Sequence, residues 1–393
     1  MKTEKLYDID SYLWEFRATV LSSEKDGERY LSVLDKTAFF PDEGGQGADR
    51  GIFTDGKTDA ALANVLDAHL RGSIIYHVTD APLSVGTEIV GKLDGARRLR
   101  HMQNHSGEHI ISGLVHNLYG YENVGFHLGE RDTTLDFDGE LSAEQINEIE
   151  QLANEAVIKN LKFNCTYPAP EALSSMSYRS KLELTENVRI VEIEGLDKCA
   201  CCAPHVRVSG EVGMIKITEF LRYKGGMRLH ILCGFDALYD YRRQSRDLLA
   251  ISNLLSAKKG EEKDGVERVF AELHASRAEA AALRRSLVAA TLKNQERTDK
   301  CLCLFFDNFS PDDLRHAVNS GLELTDSLCI ALSGSDEGGY RYCIGSRKIP
   351  LRAISKELNA SLGGRGGGSD VMIQGTFLSP RTEIETFFEN FSN

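Results

Sequence analysis

Two short stretches constrain this chain more than the rest of it: Asn104-His105-Ser106-Gly107-Glu108-His109 and, much later, Cys199-Ala200-Cys201-Cys202-Ala203-Pro204-His205. Two histidines four apart on a helix stand one turn from each other on one face. A cysteine and a histidine four apart supply a second pair of soft or borderline donors. Three nitrogens and one sulfur in a tetrahedron suit zinc. A fold that satisfies both stretches must bring a helix and a distant loop to one point. The expected arrangement is one zinc per chain on His105, His109, Cys201 and His205. Spacing alone leaves rivals open. His101 lies one turn before His105, and Cys199 and Cys202 flank Cys201. The metalloprotease helix motif is absent, because Ser106 stands where that motif has Glu. By the helical period Glu108 lies roughly 60° from His105 and roughly 100° from His109. It flanks the ligand face, so a solvated residue is expected there rather than a general base.

Composition narrows the setting. The 393 residues allow two to four domains with ample core, and 41% apolar and 27% charged residues are ordinary for a globular chain. Met1-Lys2-Thr3-Glu4-Lys5 leads into no apolar run, and no stretch is apolar enough for a membrane span. A cytoplasmic protein without a membrane partner is expected. Of the nine cysteines, Cys199, Cys201 and Cys202 crowd together, which in a reducing compartment reads as metal ligation before disulfides. A net charge of -13 disfavours indiscriminate nucleic-acid binding, and DNA is not an expected partner. An RNA partner would need local basic patches, such as Arg97, Arg98 and Arg100 before the histidines, or Lys216, Arg222, Lys224 and Arg228 after His205.

The expected class is α+β and multidomain. Residues 1–92 carry period-2 apolar alternation (Tyr12, Trp14, Phe16, Ala18, Val20) and several further strand patterns, which together suggest a small β-barrel. Inside it lies a glycine-rich loop over residues 37–51, whose plain reading is a tight inter-strand connection. Residues 93–235 form an α+β unit: a long helix from Arg97 to Tyr119 stopped by Gly120, a hairpin at 125–138, a helix capped by Ser142, and strands near 188–193, 210–217 and 227–233. Residues 236–299 read as a helical hairpin or coiled segment, and 300–393 as a small α/β domain. The run Gly363, Gly364, Arg365, Gly366, Gly367, Gly368 closes a helix at about 350–361, and a helix cap and turn is its plain reading.

At these residues the chain resembles a known family. Asn-His-Ser-Gly-Glu-His with a distant Cys-x-x-x-His is similar to the editing domain of alanyl-tRNA synthetase and to the freestanding alanyl-tRNA editing proteins, AlaX, in their long form. The glycine loop at 37–51, the strand from Val206 to Ile217 and the glycine run at 363–368 extend the resemblance over nearly the whole chain. The family pattern selects His105, His109, Cys201 and His205 and leaves out His101, Cys199 and Cys202. Phe40, Glu43 and Gly47 depart from the loop pattern, and Ala203-Pro204 from the synthetase's Gly-Thr.

The resemblance implies a carboxylic ester hydrolase, an aminoacyl-tRNA deacylase. It would remove serine, and glycine second, from wrongly charged tRNA(Ala), without a ligase activity of its own. It also implies that 93–235 is the editing domain and that 300–393 is similar to the synthetase C-terminal (DHH-associated) domain. Pocket residues expected on this basis are His127, Thr133 and Thr134 on the hairpin and Gln46 on the glycine loop. A sheet-face role for each Thr and a core role for His127 stand beside that reading. Residues 363–368 could cradle a tRNA phosphate in a backbone nest with Arg365 pairing to it, and the helical segment could form a homodimer. The alternatives are a non-catalytic zinc module that binds tRNA or a synthetase, and a peptidase-like zinc hydrolase with an open coordination position and a nearby carboxylate base.

Overall fold

The computed structural model describes residues 2–130, 132–180 and 188–391. It divides into two compact units, Met1–Asp247 and Leu248–Asn393.

The first unit opens with a closed barrel. Its strands are β1 (Glu15–Asp26), β2 (Arg29–Leu34), β3 (Gly51–Asp55), β4 (Ala61–Arg71), β5 (Ile74–Thr79) and β6 (Glu88–Leu93), in the order β1-β2-β5-β4-β3-β6. The alternation in β1 sends Phe16, Ala18 and Val20 inward, where they meet Leu34, Phe39, Phe53, Val65 and Ile89. Tyr12 and Trp14 precede the strand and pack against the neighbouring core instead. His77 lies inside the barrel with both ring nitrogens engaged, Nε2 with Thr37 Oγ1 at 2.9 Å and Nδ1 with the Ser32 carbonyl at 3.1 Å.

The long helix α1 (Gly95–Tyr119) follows directly. Asp94 accepts from the Arg97 amide at its start, and Gly120, left-handed at φ 71°, ends it. Its apolar side meets a four-stranded antiparallel sheet of order β12-β13-β8-β7. Those strands are β7 (Asn123–Leu128), β8 (Thr133–Phe137), β12 (Ile215–Tyr223) and β13 (Gly226–Cys233). Helix α2 (Ala143–Lys159) carries a capping box between Ser142 and Gln145 and packs on α1. A smaller sheet, β9 (Phe163–Thr166), β10 (Ile190–Ile193) and β11 (Asp197–Ala200), delivers the chain to the cysteine cluster. Strand β11 is absent from the sequence expectation, because Asp197-Lys198-Cys199-Ala200 has neither alternation nor β-branched residues.

Helix α3 (Phe235–Leu255) runs across the boundary between the units. In the second unit it turns into α4 (Glu262–Lys293) at an elbow where Ser252 Oγ donates to Glu262 at 2.7 Å. Beyond it a five-stranded sheet has the order β14-β15-β16-β18-β17, formed by β14 (Leu302–Phe306), β15 (Leu328–Ser335), β16 (Gly339–Ser346), β17 (Arg365–Gly368) and β18 (Met372–Phe377). Its helices are α5 (Pro311–Gly321), α6 (Leu351–Ser361) and α7 (Arg381–Glu389). The glycine run is therefore part helix cap and part strand. Gly363 ends α6 at φ 57°, and residues 365–368 are an edge strand hydrogen-bonded to β18. Glycine is required at 366 because a Cβ there would stand 2.3 Å from the Tyr342 hydroxyl.

Among the described residues no helix is long and apolar enough to cross a membrane.

Candidate metal centre

The middle of α1 is nearly all buried, although it is built of polar residues. Buried polar groups need partners, and the partners define the site. His105 and His109 leave α1 on one face, one turn apart. His205 and Cys201 come from the loop after β11, which Arg189 braces by donating to the Cys201 carbonyl at 3.0 Å and the Ala203 carbonyl at 2.8 Å. The ligand atoms of His105, His109, Cys201 and His205 all lie within 4.8 Å of one another, close enough to hold one metal ion. Cys201 Sγ is 3.5 Å from His105 Nε2 and 3.3 Å from His205 Nε2. His101, Cys199 and Cys202 stand outside this set.

Each imidazole is held from behind. His105 Nδ1 meets Gln46 Oε1 at 2.9 Å, His109 Nδ1 meets Asp197 Oδ2 at 3.0 Å, and His205 Nδ1 meets Ser106 Oγ at 3.0 Å. A carboxylate and an amide oxygen only accept, so Nδ1 of His105 and of His109 donates, which leaves Nε2 as the nitrogen that could bind a metal. Such outer partners orient metal-binding histidines and raise their basicity. Burial raises the pKa of Asp197, but hydrogen bonds from His109 and Arg179 hold it down at about 2. Burial, then the neighbouring His109 and His105, push His205 well below its usual value; burial pushes the Cys201 thiol well above its own. A cation bound among these donors would offset that burial by drawing off the thiol proton.

The glycine-rich loop reaches this centre from the barrel. Gly45, at φ 84°, passes so close to β7 that a Cβ would stand 2.6 Å from the Phe126 carbonyl. That approach puts Gln46 against His105, while the Phe126 ring lies 4.5 Å from the His105 ring. Asp49 anchors the loop: it accepts from the Phe40 amide at 2.7 Å and pairs with Arg98, which also donates to the Ala38 and Ser11 carbonyls.

Three expectations are corrected here. Arg98 is fully buried in that clasp, so it has no surface to offer RNA. Arg97 and Arg100 remain partly exposed, with Arg97 on the Ala48 carbonyl and Arg100 on Asp236 and the Gly129 carbonyl. His127 and Thr134 are paired across β7 and β8 on the sheet face opposite Phe126 and Thr133, so alternation turns them away from α1. Thr133 faces inward and is fully buried, its hydroxyl without a partner among the described residues. Glu108 is buried, not solvated: Asn123 and Ser112 close over it. Ser106, Phe126, Asp197 and Arg179 complete the centre unforeseen. For Ser106 a signal existed, since it sits between two ligands on a helix; for Asp197 and Arg179 none did.

A family described as the threonyl and alanyl tRNA synthetase second additional domain matches residues 188–247, which include Cys201 and His205. The alanyl-tRNA editing protein AlaX-L of Pyrococcus horikoshii is 24% identical over 396 residues, covering 97% of this chain and 96% of that one. The chain is a homologue of the long alanyl-tRNA editing proteins. Alanine–tRNA ligases match it as well: that of Ignicoccus hospitalis is 27% identical over 95% of this chain, and that of Halobacterium salinarum 30% identical over 94%. The chain spans only 41% and 42% of those two ligases. Among solved structures, the C-Ala domain from Aquifex aeolicus alanyl-tRNA synthetase covers 24% of this chain and 96% of that chain at 19% identity, with a TM-score of 0.21, too low to bear on the fold.

Proposed function

We propose that this chain is an aminoacyl-tRNA deacylase. It hydrolyses the ester in tRNA(Ala) wrongly charged with serine, and with glycine second, and it holds one zinc ion on His105, His109, Cys201 and His205. The observation that carries the reading is the convergence of those four donors, each imidazole with its Nδ1 already occupied. Three nitrogens and a sulfur are donors zinc accepts readily. When bound, the ion would supply positive charge to orient or polarise the aminoacyl ester.

The need for such a step is physical. A synthetase pocket shaped for a methyl group cannot strongly reject a side chain with one added hydroxyl, and rejects glycine less well still. A second site that hydrogen-bonds the hydroxyl sorts in the opposite sense, since alanine would leave polar groups unpaired there. Thr133 and Gln46 each offer a buried polar atom without a partner among the described residues, Oγ1 and Nε2 respectively. Arg97 and Arg100 are the proposed contacts for the tRNA end, and the exposed strand β17 with Arg365, Gly366, Gly367 and Gly368, together with Gly363 and Gly364, for the tRNA body. The exposed apolar residues Val266, Val269, Leu273, Leu283 and Leu287 of α4 favour a homodimer through the helical segment.

Incubation with seryl-, glycyl- and alanyl-tRNA(Ala), with and without chelator, tests the reading. Loss of the seryl ester, and second of the glycyl ester, with the alanyl ester spared and chelator protecting all three, is the expected result. Bound zinc with all three esters left intact would instead show a non-catalytic tRNA- or synthetase-binding module.

A further inference from the structure

Water must lose a proton to attack a carboxylic ester, and four protein donors fill the tetrahedral shell that zinc prefers. The group that takes the proton is therefore sought beside the donor set. Two buried carboxylates border it, Asp197 and Glu108. Asp197 is fully engaged: Oδ2 accepts from His109 Nδ1 at 3.0 Å and from an Arg179 terminal nitrogen at 2.9 Å, and Oδ1 accepts from Arg179 Nε at 2.8 Å. Among the described residues, Glu108 is hydrogen-bonded through one oxygen. Oε1 accepts from Ser112 Oγ at 2.8 Å and from Asn123 Nδ2 at 2.6 Å, and Asn123 donates to that same hydroxyl at 2.9 Å. Neither donor touches Oε2. That oxygen lies 3.7 Å from His109 Nε2, the nitrogen left free for a metal by the Nδ1–Asp197 bond.

A carboxylate fixed by two neutral donors on one oxygen, with the other beside the donor set, is more than a cap for Ser112. We propose that Glu108 is the catalytic base of the ester hydrolysis assigned above, an inference that rests on that assignment. Glu108 Oε2 takes a proton from a water molecule as its oxygen bonds to the ester carbonyl carbon. The bond from that carbon to the ribose oxygen then breaks, and the ribose oxygen leaves with the proton Glu108 held. The products are a free amino acid and an uncharged tRNA, and no further reactant is needed. Asn123 and Ser112 are positioning residues, which keep the carboxylate from turning away.

The test compares wild type with Glu108→Gln in three measurements: single-turnover cleavage of seryl-tRNA(Ala), zinc per chain, and affinity for a tRNA carrying serine through an uncleavable amide. The expected result is a rate lower by about 10²- to 10⁴-fold, the usual contribution of a general base, with zinc content and analogue affinity unchanged. Glu108→Asp, which keeps the charge and shortens the reach, is expected to keep zinc and lose rate in the same direction; it serves if the Gln variant does not fold. A Gln variant as fast as wild type overturns the assignment of Glu108 and leaves the deacylase reading standing. Loss of zinc or of analogue binding overturns it too, by placing Glu108 in the framework. A wild type that cleaves no ester removes the deacylase reading, and the base with it.

Discussion

The barrel and the metal centre each bury histidine, and they treat it oppositely. In the barrel His77 spends both nitrogens on the protein, Nε2 on Thr37 and Nδ1 on Ser32, and burial holds its pKa down at about 4. In the centre three histidines engage Nδ1 with Gln46, Asp197 and Ser106, and their metal-ligating atoms converge with Cys201 Sγ within 4.8 Å of one another. A buried imidazole with both nitrogens satisfied is core. Three of them with one nitrogen each aimed at a shared point, beside a cysteine, are a donor set that could hold a metal ion. Burial is the same in both places, so the distinguishing quantity is where the second nitrogen points.

The harshest way to break this contrast is to remove a donor from the shared point. Cys201→Ala is expected to lower bound zinc from about one per chain to near zero, because a site with three neutral donors has lost its one anionic ligand. Metal analysis after dialysis checks it, and zinc that stays would move the sulfur ligand to Cys199 or Cys202. The next effect bears on the loop that joins the two regions. Arg98→Met strands Asp49 in the interior, and breaking a buried pair from one side costs about 3–5 kcal/mol. Denaturant unfolding should show that loss, and zinc affinity should fall with it as Gln46 loses its support. A change under about 1 kcal/mol would mean the Arg98–Asp49 pair does not hold the loop.

His77 sharpens the other half. Its pKa is lower in the fold than the ordinary 6.5, so the unfolded chain binds the extra proton first as pH falls. The stability it contributes is complete above about pH 6.5 and is lost progressively toward pH 4, roughly 3 kcal/mol in all. With chelator present throughout, so that the metal centre weighs equally, wild type should lose stability across that window and His77→Gln should lose less. Parallel curves would show that His77 is not buried neutral.

The sequence made the centre legible where chemistry is carried by rare residue types at a fixed period. His105 and His109 could be placed on one helical face, and α1 ends where Gly120 predicts, although it starts at Gly95, ahead of the expected Arg97. The barrel was legible from the alternation of Phe16, Ala18 and Val20, and α2 from the Ser142–Gln145 pair. What stayed hidden depends on contacts between distant segments. Arg98 reads as a member of a basic patch until Asp49 comes to meet it. Glu108 reads as solvated until β7 brings Asn123 over it. The glycine run at 363–368 looks like a turn, and only pairing with β18 makes part of it a strand. His127 and Thr134 lie on the hairpin that places Phe126 against His105, and the register that fixes which face is inward is not readable from the sequence.

The smallest expected effect is the most informative about how the two regions are coupled. Gln46 belongs to the barrel's loop, yet its amide oxygen sets which nitrogen of His105 is free. Gln46→Met keeps the length of the side chain and removes the acceptor. His105 could then take either tautomer, and zinc affinity should fall by about 10- to 100-fold, the usual cost of an outer partner. Asp197, a carboxylate already braced by Arg179, is the stronger support, so Asp197→Asn should cost more than Gln46→Met in a competition titration against a metal indicator. Gln46→Glu restores an acceptor and should recover affinity. If Met and Glu at position 46 bind zinc equally, the loop touches the centre without tuning it, and the barrel is only a neighbour.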